Sequence, residues 1–207
     1  MKRLLVTGFG RFPGAPANPS QGLVAALGRS RRPALSDVEI LRDVLPVTWA
    51  DALPALLRLI ENHQPDAIVT FGLARRSRTL RIETRAVNLG DSLRPDASHR
   101  VHEGRALAPG GPFALMSRCQ LQRLRQAVAR AGAPVSLSRH AGTYLCNAAL
   151  WSALAATPAA IPVVFIHVPP VARRLPKARL RHRPLTTPTL LKAAIAALVS
   201  IAAEARR

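Results

Sequence analysis

The stretch WADALPALLRLIENHQPDAIVTFG, Trp49 to Gly72, decides the fold. From Trp49 to His63, Leu53, Leu56, Leu57 and Ile60 recur at helical spacing. Pro54 falls near the first turn, where proline is tolerated. Asp66 to Phe71 then reads as a buried strand that stops at Gly72. A helix running directly into a buried strand is the repeating unit of a parallel sheet.

The same alternation extends both ways. Upstream, Lys2 to Thr7 is a short apolar run of strand length, and the segment Phe9 to Ser20 is loop because it holds Gly10, Pro13, Gly14, Pro16 and Pro19. Ser20 to Leu27 has helical character, and Val38 to Val47 alternates like a half-exposed strand. Downstream, Thr79 to Asn88 is read as one extended segment and Asp91 to Pro112 as a long polar surface loop. Phe113 to Ala131 reads as a helix, Pro134 to Ser138 as a strand, Tyr144 to Ala156 as a helix and Ile161 to Ile166 as a strand. A Pro/Arg loop from Val168 to Pro188 leads to a last helix, capped by Thr187, with Leu191, Ile195, Leu198 and Ala202 toward the core. The expectation is one domain over residues 1–207, a three-layer α/β/α sandwich around a mostly parallel twisted sheet.

Composition excludes several classes. At 207 residues the chain buries roughly 70% of its unfolded surface and needs no metal or disulfide staple. With 48% hydrophobic and 20% charged residues it is not intrinsically disordered. Two cysteines, Cys119 and Cys146, make no secreted disulfide framework, and the apolar run after Arg3 ends at Thr7-Gly8, too short for a signal-peptide core. A cytoplasmic location follows as the expectation. Ala141 to Ile166 carries no formal charge, but Pro158 and Pro162 break it, so a helix, a turn and a buried strand are expected there rather than a membrane span.

Thirty basic residues against 11 acidic ones give a net charge of +19, which by itself suggests a nucleic-acid or acidic partner. Only Lys2, Lys177 and Lys192 are lysines, however, and the arginines are scattered through an Ala- and Pro-rich chain. Phe and Tyr residues lie away from the basic runs, whereas nucleic-acid modules interleave the two. The charge thus reads as compositional, with no specific nucleic-acid partner expected.

Ligands of such sheets collect beyond the carboxyl ends of the strands. The candidates there are Phe9 and Phe12 after the first strand, Gly72 to Ser77 after the third, and His167 at the end of a hydrophobic strand. Cys146 opens a helix, where the dipole and free N–H groups stabilise a thiolate. On pattern alone, Cys146 reads equally as a core residue of an Ala-rich helix, and His167 as a polar group satisfied at a strand end.

Taken in order, these segments resemble the pyroglutamyl peptidase I (pyrrolidone-carboxylate peptidase) family. Thr7-Gly8-Phe9 with Phe12 and Asn18-Pro19-Ser20 looks like its opening signature. Gln64-Pro65-Asp66 with Phe71-Gly72-Leu73-Ala74 is similar to the next block, and Ile82-Glu83 with Ala86-Val87-Asn88 to the glutamate block. Ala141-Gly142-Thr143-Tyr144-Leu145-Cys146-Asn147 matches the cysteine block and Phe165-Ile166-His167-Val168-Pro169 the histidine block. The resemblance implies a cysteine peptidase that removes an N-terminal pyroglutamate without metal or organic cofactor. It implies Cys146 as nucleophile, His167 as base and then acid, and Glu83 as the group orienting the imidazole. Phe9, Phe12, Tyr144 and Leu145 become walls of the lactam pocket, backbone atoms around Leu73 receive the ring, and Asn18 holds the Phe9–Phe12 loop. Homotetramers are frequent among such relatives.

The sequence departs from the family pattern at several places. Arg75, Arg76 and Ser77 replace a Pro-Gly-Arg or Gly-Gly-Arg run, and Thr84 replaces the arginine after the glutamate. Leu93-Arg94-Pro95-Asp96 stands for Arg-Ile-Pro-Asp, which puts Arg94 where an apolar wall residue is expected. Two rival readings accompany the resemblance: a divergent member with altered or lost acyl specificity, and a basic polyanion-binding protein.

Overall fold

The computed structural model describes residues 1–207 except 14, 31 and 172–184. Its main sheet is built from β1 (Lys2–Phe9), β2 (Val38–Leu45), β3 (Ala67–Leu73), β4 (Leu80–Glu83), β7 (Val135–Ser138) and β8 (Val163–Val168). They lie in the order β2-β1-β3-β8-β4-β7. Every ladder is parallel except β4 with β8. A separate antiparallel ribbon pairs β5 (Arg85–Val87) with β6 (Ala114–Met116).

Because strand side chains alternate between faces, each run splits its residues between two cores. Leu4, Val6, Val69, Phe71, Val164 and Ile166 meet α1 (Pro19–Leu27), α3 (Leu121–Arg130) and α5 (Thr187–Ala205) on one side. Leu5, Ile68, Val163 and Phe165 meet α2 (Trp49–His63) and α4 (Leu145–Ala156) on the other. The three-layer α/β/α expectation therefore holds in a single domain. Covered on both faces, β8 is buried along its whole length, which is why its sequence is a continuous apolar run. α5 is long and apolar enough to cross a membrane by length and composition, and it packs against α1 and α3 within the first helical layer.

Four expectations are corrected. Phe113 to Ala131 is not one helix: Leu115 pairs with Ala86 in the ribbon, and Arg118 bridges to Val163, so the apolar residues are spent on pairing before α3 begins. Cys119 accordingly precedes α3. Thr79 to Asn88 is two strands, since Thr84 donates its N–H to Ser138 while its carbonyl receives Ser117, and the chain leaves one sheet for the other there. The last helix is capped by Thr186, whose hydroxyl accepts from the Thr189 N–H at 3.4 Å, rather than by Thr187. Pro54 sits inside α2, in its second turn, and removes one helical donor. The basic positions Arg173, Arg174, Lys177, Arg179, Arg181 and Arg183 lie outside the described residues.

Candidate active site

The parallel strands β1, β3 and β8 all end at one edge of the sheet, and β4, running the other way, begins there. His167 in β8 stands between Gly72 of β3 and Arg81 of β4 in register. Glu83 lies two residues beyond Arg81, hence on the same face, and is completely buried. Its Oε1 accepts a hydrogen bond from His167 Nδ1 at 2.8 Å. That bond fixes the imidazole plane and leaves Nε2 as the free nitrogen.

Cys146 reaches this edge from above, as the second residue of α4. The chain enters the helix through Gly142 at φ 86°, a conformation that favours glycine. Tyr144 caps the helix with extended backbone and no side-chain hydrogen bond, so the first-turn N–H groups are not satisfied by their own cap residue. Gly72 permits the close approach from below: a Cβ there would lie 2.5 Å from Phe165 Cζ and 3.0 Å from Cys146 Sγ.

The electrostatics favour a protonated imidazole. Burial alone would push His167 down, but the Cys146 sulfur, by charge and hydrogen bonding, and the Glu83 carboxylate raise its pKa to about 9. At neutral pH the imidazole then holds its proton, and an imidazolium beside a cysteine is the arrangement that activates a thiol nucleophile. Cys119 is its opposite. Burial, helped by the Glu204 charge, pushes that thiol up to about 12, and it packs against the first core.

Cys146 and His167 open onto a cleft of about 1290 Å³, with Phe9, Phe12, Leu73, Tyr144 and Leu145 among its walls. Glu83 lies behind the histidine and does not line it. Asn18 lines the cleft and also caps α1: its Oδ1 accepts from the Ser20 N–H at 3.1 Å while Nδ2 donates to the Gly10 carbonyl at 2.9 Å. It thereby ties the Phe9–Phe12 segment to a helix. Arg94 lies at the mouth, its guanidinium carbon 5.4 Å from the Tyr144 ring centroid, and Leu93 points away with 89% of its surface exposed.

Several supporting residues carry no role in the sequence reading. Ser20 brackets Phe9, its hydroxyl accepting from the Phe9 N–H and donating to the Phe9 carbonyl, both at 3.1 Å. Asn147, fully buried beside the cysteine, bonds both backbone groups of Val87 and so locks α4 to the strand that follows Glu83. Asp96 accepts from the Trp49, Ser98 and Arg100 N–H groups, which hold its carboxyl below the usual range although burial opposes this. Arg81 donates to Ser138 Oγ at 2.6 Å and to the His140 carbonyl at 2.7 Å. The available signal was a polar residue inside an otherwise apolar helix or strand, as Asn147 is. Among the described residues no three His, Cys, Asp or Glu side chains converge on a metal-sized site.

Comparison with known proteins covers the whole chain. A family model described as "Pyroglutamyl peptidase" matches residues 2–207. The pyrrolidone-carboxylate peptidase of Pseudomonas fluorescens is 35% identical over 172 residues, covering 82% of this chain and 79% of that protein. The crystal structure of Bacillus amyloliquefaciens pyroglutamyl peptidase I aligns with a TM-score of 0.85 at 28% identity, covering 98% of each chain. The pyrrolidone carboxyl peptidase of Thermus thermophilus aligns with a TM-score of 0.82 at 35% identity, covering 95% of this chain and 99% of that one.

Proposed function

This chain belongs to the pyroglutamyl peptidase family of cysteine hydrolases, and we propose that Cys146, His167 and Glu83 carry its reaction as nucleophile, proton carrier and orienting carboxylate. Its substrates are peptides that begin with pyroglutamate, from which it hydrolyses that one residue.

The reacting form pairs protonated His167 with Cys146 as its thiolate, the nucleophilic form of a thiol. The sulfur adds to the pyroglutamyl carbonyl carbon, and the electron pair moves onto the carbonyl oxygen. The first-turn N–H groups of α4, which Tyr144 leaves without a side-chain cap, are assigned as donors to that oxyanion. As the tetrahedral species collapses, the C–N bond breaks and His167 passes its proton from Nε2 to the departing amine. The peptide leaves, one residue shorter, and a pyroglutamyl thioester remains on Cys146. Neutral His167 then takes a proton from water, whose oxygen attacks the thioester carbon. Pyroglutamate is released and the charged pair is restored. Throughout, Glu83 keeps Nδ1–H engaged, so that the same nitrogen always faces the reacting atoms.

One observation carries this reading: a fully buried carboxylate bonded at 2.8 Å to the histidine that shares a cleft with the cysteine. The apolar walls suit a neutral lactam, whereas a free N-terminal ammonium there would be desolvated without a counter-charge. The direct test is turnover of a fluorogenic pyroglutamyl amide by purified protein, before and after alkylation. Steady release of the fluorophore that stops on alkylation is expected; release that survives loss of the Cys146 thiol excludes the assignment.

A further inference from the structure

The cleft has a chemical gradient across the sheet. On the β1 side its walls are Phe9 and Phe12; on the β4 side they are Arg75, Arg76 and Arg78. These arginines belong to the turn that leaves β3 after Leu73, just past the Gly72–His167 register, and returns at β4, where Arg81 opposes His167. They therefore stand on the histidine's side of the site. Since His167 protonates the departing amine, the leaving peptide must pass on that side, while the acyl group lies toward the aromatic walls.

All three arginines are exposed, and among the described residues none of them is in an ion pair. The residues outside the description contain no Asp or Glu that could supply one. The two carboxylates on the cleft are already engaged. Asp96 is buried under three backbone donors, and Asp91 accepts from the Leu93 and Arg94 N–H groups and from Thr143 Oγ1. Arg81 is occupied too, by Glu83, Ser138 and the His140 carbonyl. Arg94 adds a guanidinium at the mouth, over the Tyr144 ring and with no carboxylate partner among the described residues. Among the described residues, exposed guanidinium groups with no carboxylate partner thus gather on this side of the cleft.

We propose that this enzyme selects pyroglutamyl peptides whose residues immediately after the pyroglutamate are acidic, through Arg75, Arg76 and Arg78. The inference rests on the hydrolytic reading above and adds the substrate class. Exposed guanidinium–carboxylate pairs are individually weak, so several must act together, and their contribution must be screened by salt.

The test compares three peptides under one set of conditions: pyroglutamyl-Glu-Glu-Ala, pyroglutamyl-Ala-Ala-Ala and pyroglutamyl-Lys-Lys-Ala amides, with a neutral fluorogenic pyroglutamyl amide alongside. At low ionic strength kcat/KM for the acidic peptide should exceed that for the neutral one by about tenfold, mostly through KM, with the basic peptide slowest. The ratio should shrink toward one as salt rises. Within the doubly reversed variant Arg75→Glu/Arg78→Glu, the basic peptide should become the better substrate. Equal rates on the three peptides, or an acidic preference that survives charge reversal, overturns the proposal while turnover of the neutral amide still supports hydrolysis. Absence of turnover on every pyroglutamyl substrate overturns the hydrolytic reading and this inference with it.

Discussion

Arg81 and Glu83 meet at the oxygen that serves the histidine: Arg81 Nη2 lies 3.4 Å from Glu83 Oε1, the atom that accepts from His167 Nδ1. Glu83 is fully buried and Arg81 only partly so, and the arginine is itself pinned to Ser138 and His140. The carboxylate is thus shared between two cations, His167, to which the proposed mechanism gives the proton transfers, and Arg81, which stays fixed. Glu83→Gln should keep the geometry but lower kcat by roughly 10³–10⁴-fold, because the amide neither fixes the tautomer nor balances the imidazolium. Arg81→Met should leave the carboxylate to His167 alone and move the alkaline limb of the pH–rate profile upward. A Glu83→Gln enzyme within a few fold of the parent would remove the carboxylate from the mechanism.

A second expectation concerns pH. The folded-state pKa of His167, about 9, lies above its ordinary value of 6.5. The imidazolium's stabilising contribution is therefore complete below about 6.5 and is lost as pH rises through about 9. Activity should fall over the same upper limb, because the deprotonated histidine cannot supply the leaving amine. Cys146→Ala removes the sulfur charge that helps raise the pKa, so the alkaline loss of Tm should begin at lower pH in that variant. Superimposable Tm profiles for the two proteins would contradict the charged pair.

Much of this is legible in the sequence. The strand and helix pattern gave the layers because β3 and β8 are covered on both faces and α2 on one, which leaves plain signatures in the sequence. Residues 113–120 misled because Phe113, Leu115 and Met116 also suit a helix face; only pairing with β5, which is remote in sequence, makes Ala114–Met116 a strand. The candidate site was named from resemblance, since nothing in the sequence alone marks Glu83 as buried. Its burial depends on three segments that converge only in the fold. The supporting polar residues were invisible for the same reason: Asn147 bonds Val87, sixty positions away.

The two cysteines should separate cleanly. Cys146→Ala should abolish turnover, since the change is small and leaves Glu83 and His167 in place. Cys119→Ala should keep most activity and cost about 1 kcal/mol of stability, as its half-buried thiol packs only against the first core. Mass spectrometry after brief iodoacetamide treatment should place the label on Cys146. Labelling at Cys119 with inactivation would reverse the assignment.

Gly72 should resist substitution for steric reasons alone. A methyl group 2.5 Å from Phe165 Cζ must displace that ring, and it also crowds the cysteine 3.0 Å away. Gly72→Ala is expected to lose about 1–3 kcal/mol of stability and at least tenfold in kcat, with a smaller change in KM. Gly22, around which a Cβ finds open space, is the control. Equal losses at the two glycines would show that the close approach is not what matters.

Acyl specificity is the most exposed expectation, because Arg94 sits at the cleft where an apolar residue is expected. The walls formed by Phe9, Phe12, Tyr144 and Leu145 suit the closed, uncharged lactam. An N-terminal Gln or Glu brings an ammonium that must be desolvated there. We expect kcat/KM for free-Gln peptides to be at least ~100-fold lower than for the matching pyroglutamyl peptides, corresponding to roughly 2.7 kcal/mol. Phe12→Ala should weaken pyroglutamyl turnover without creating activity on free Gln, since it removes a wall and adds no counter-charge. Arg94 holds its guanidinium over the Tyr144 ring, and while it stays there it is a feature of the rim. Swung inward, it would favour a carboxylate on the acyl group. Kinetics on pyroglutamyl, glutaminyl, glutamyl and N-succinyl amides, for the parent and for Arg94→Ile, discriminate the two positions. The parent should prefer the pyroglutamyl amide throughout, and Arg94→Ile should preserve that order. A preference for either carboxylate-bearing amide that vanishes in Arg94→Ile would keep the thiol mechanism and replace the lactam as its substrate.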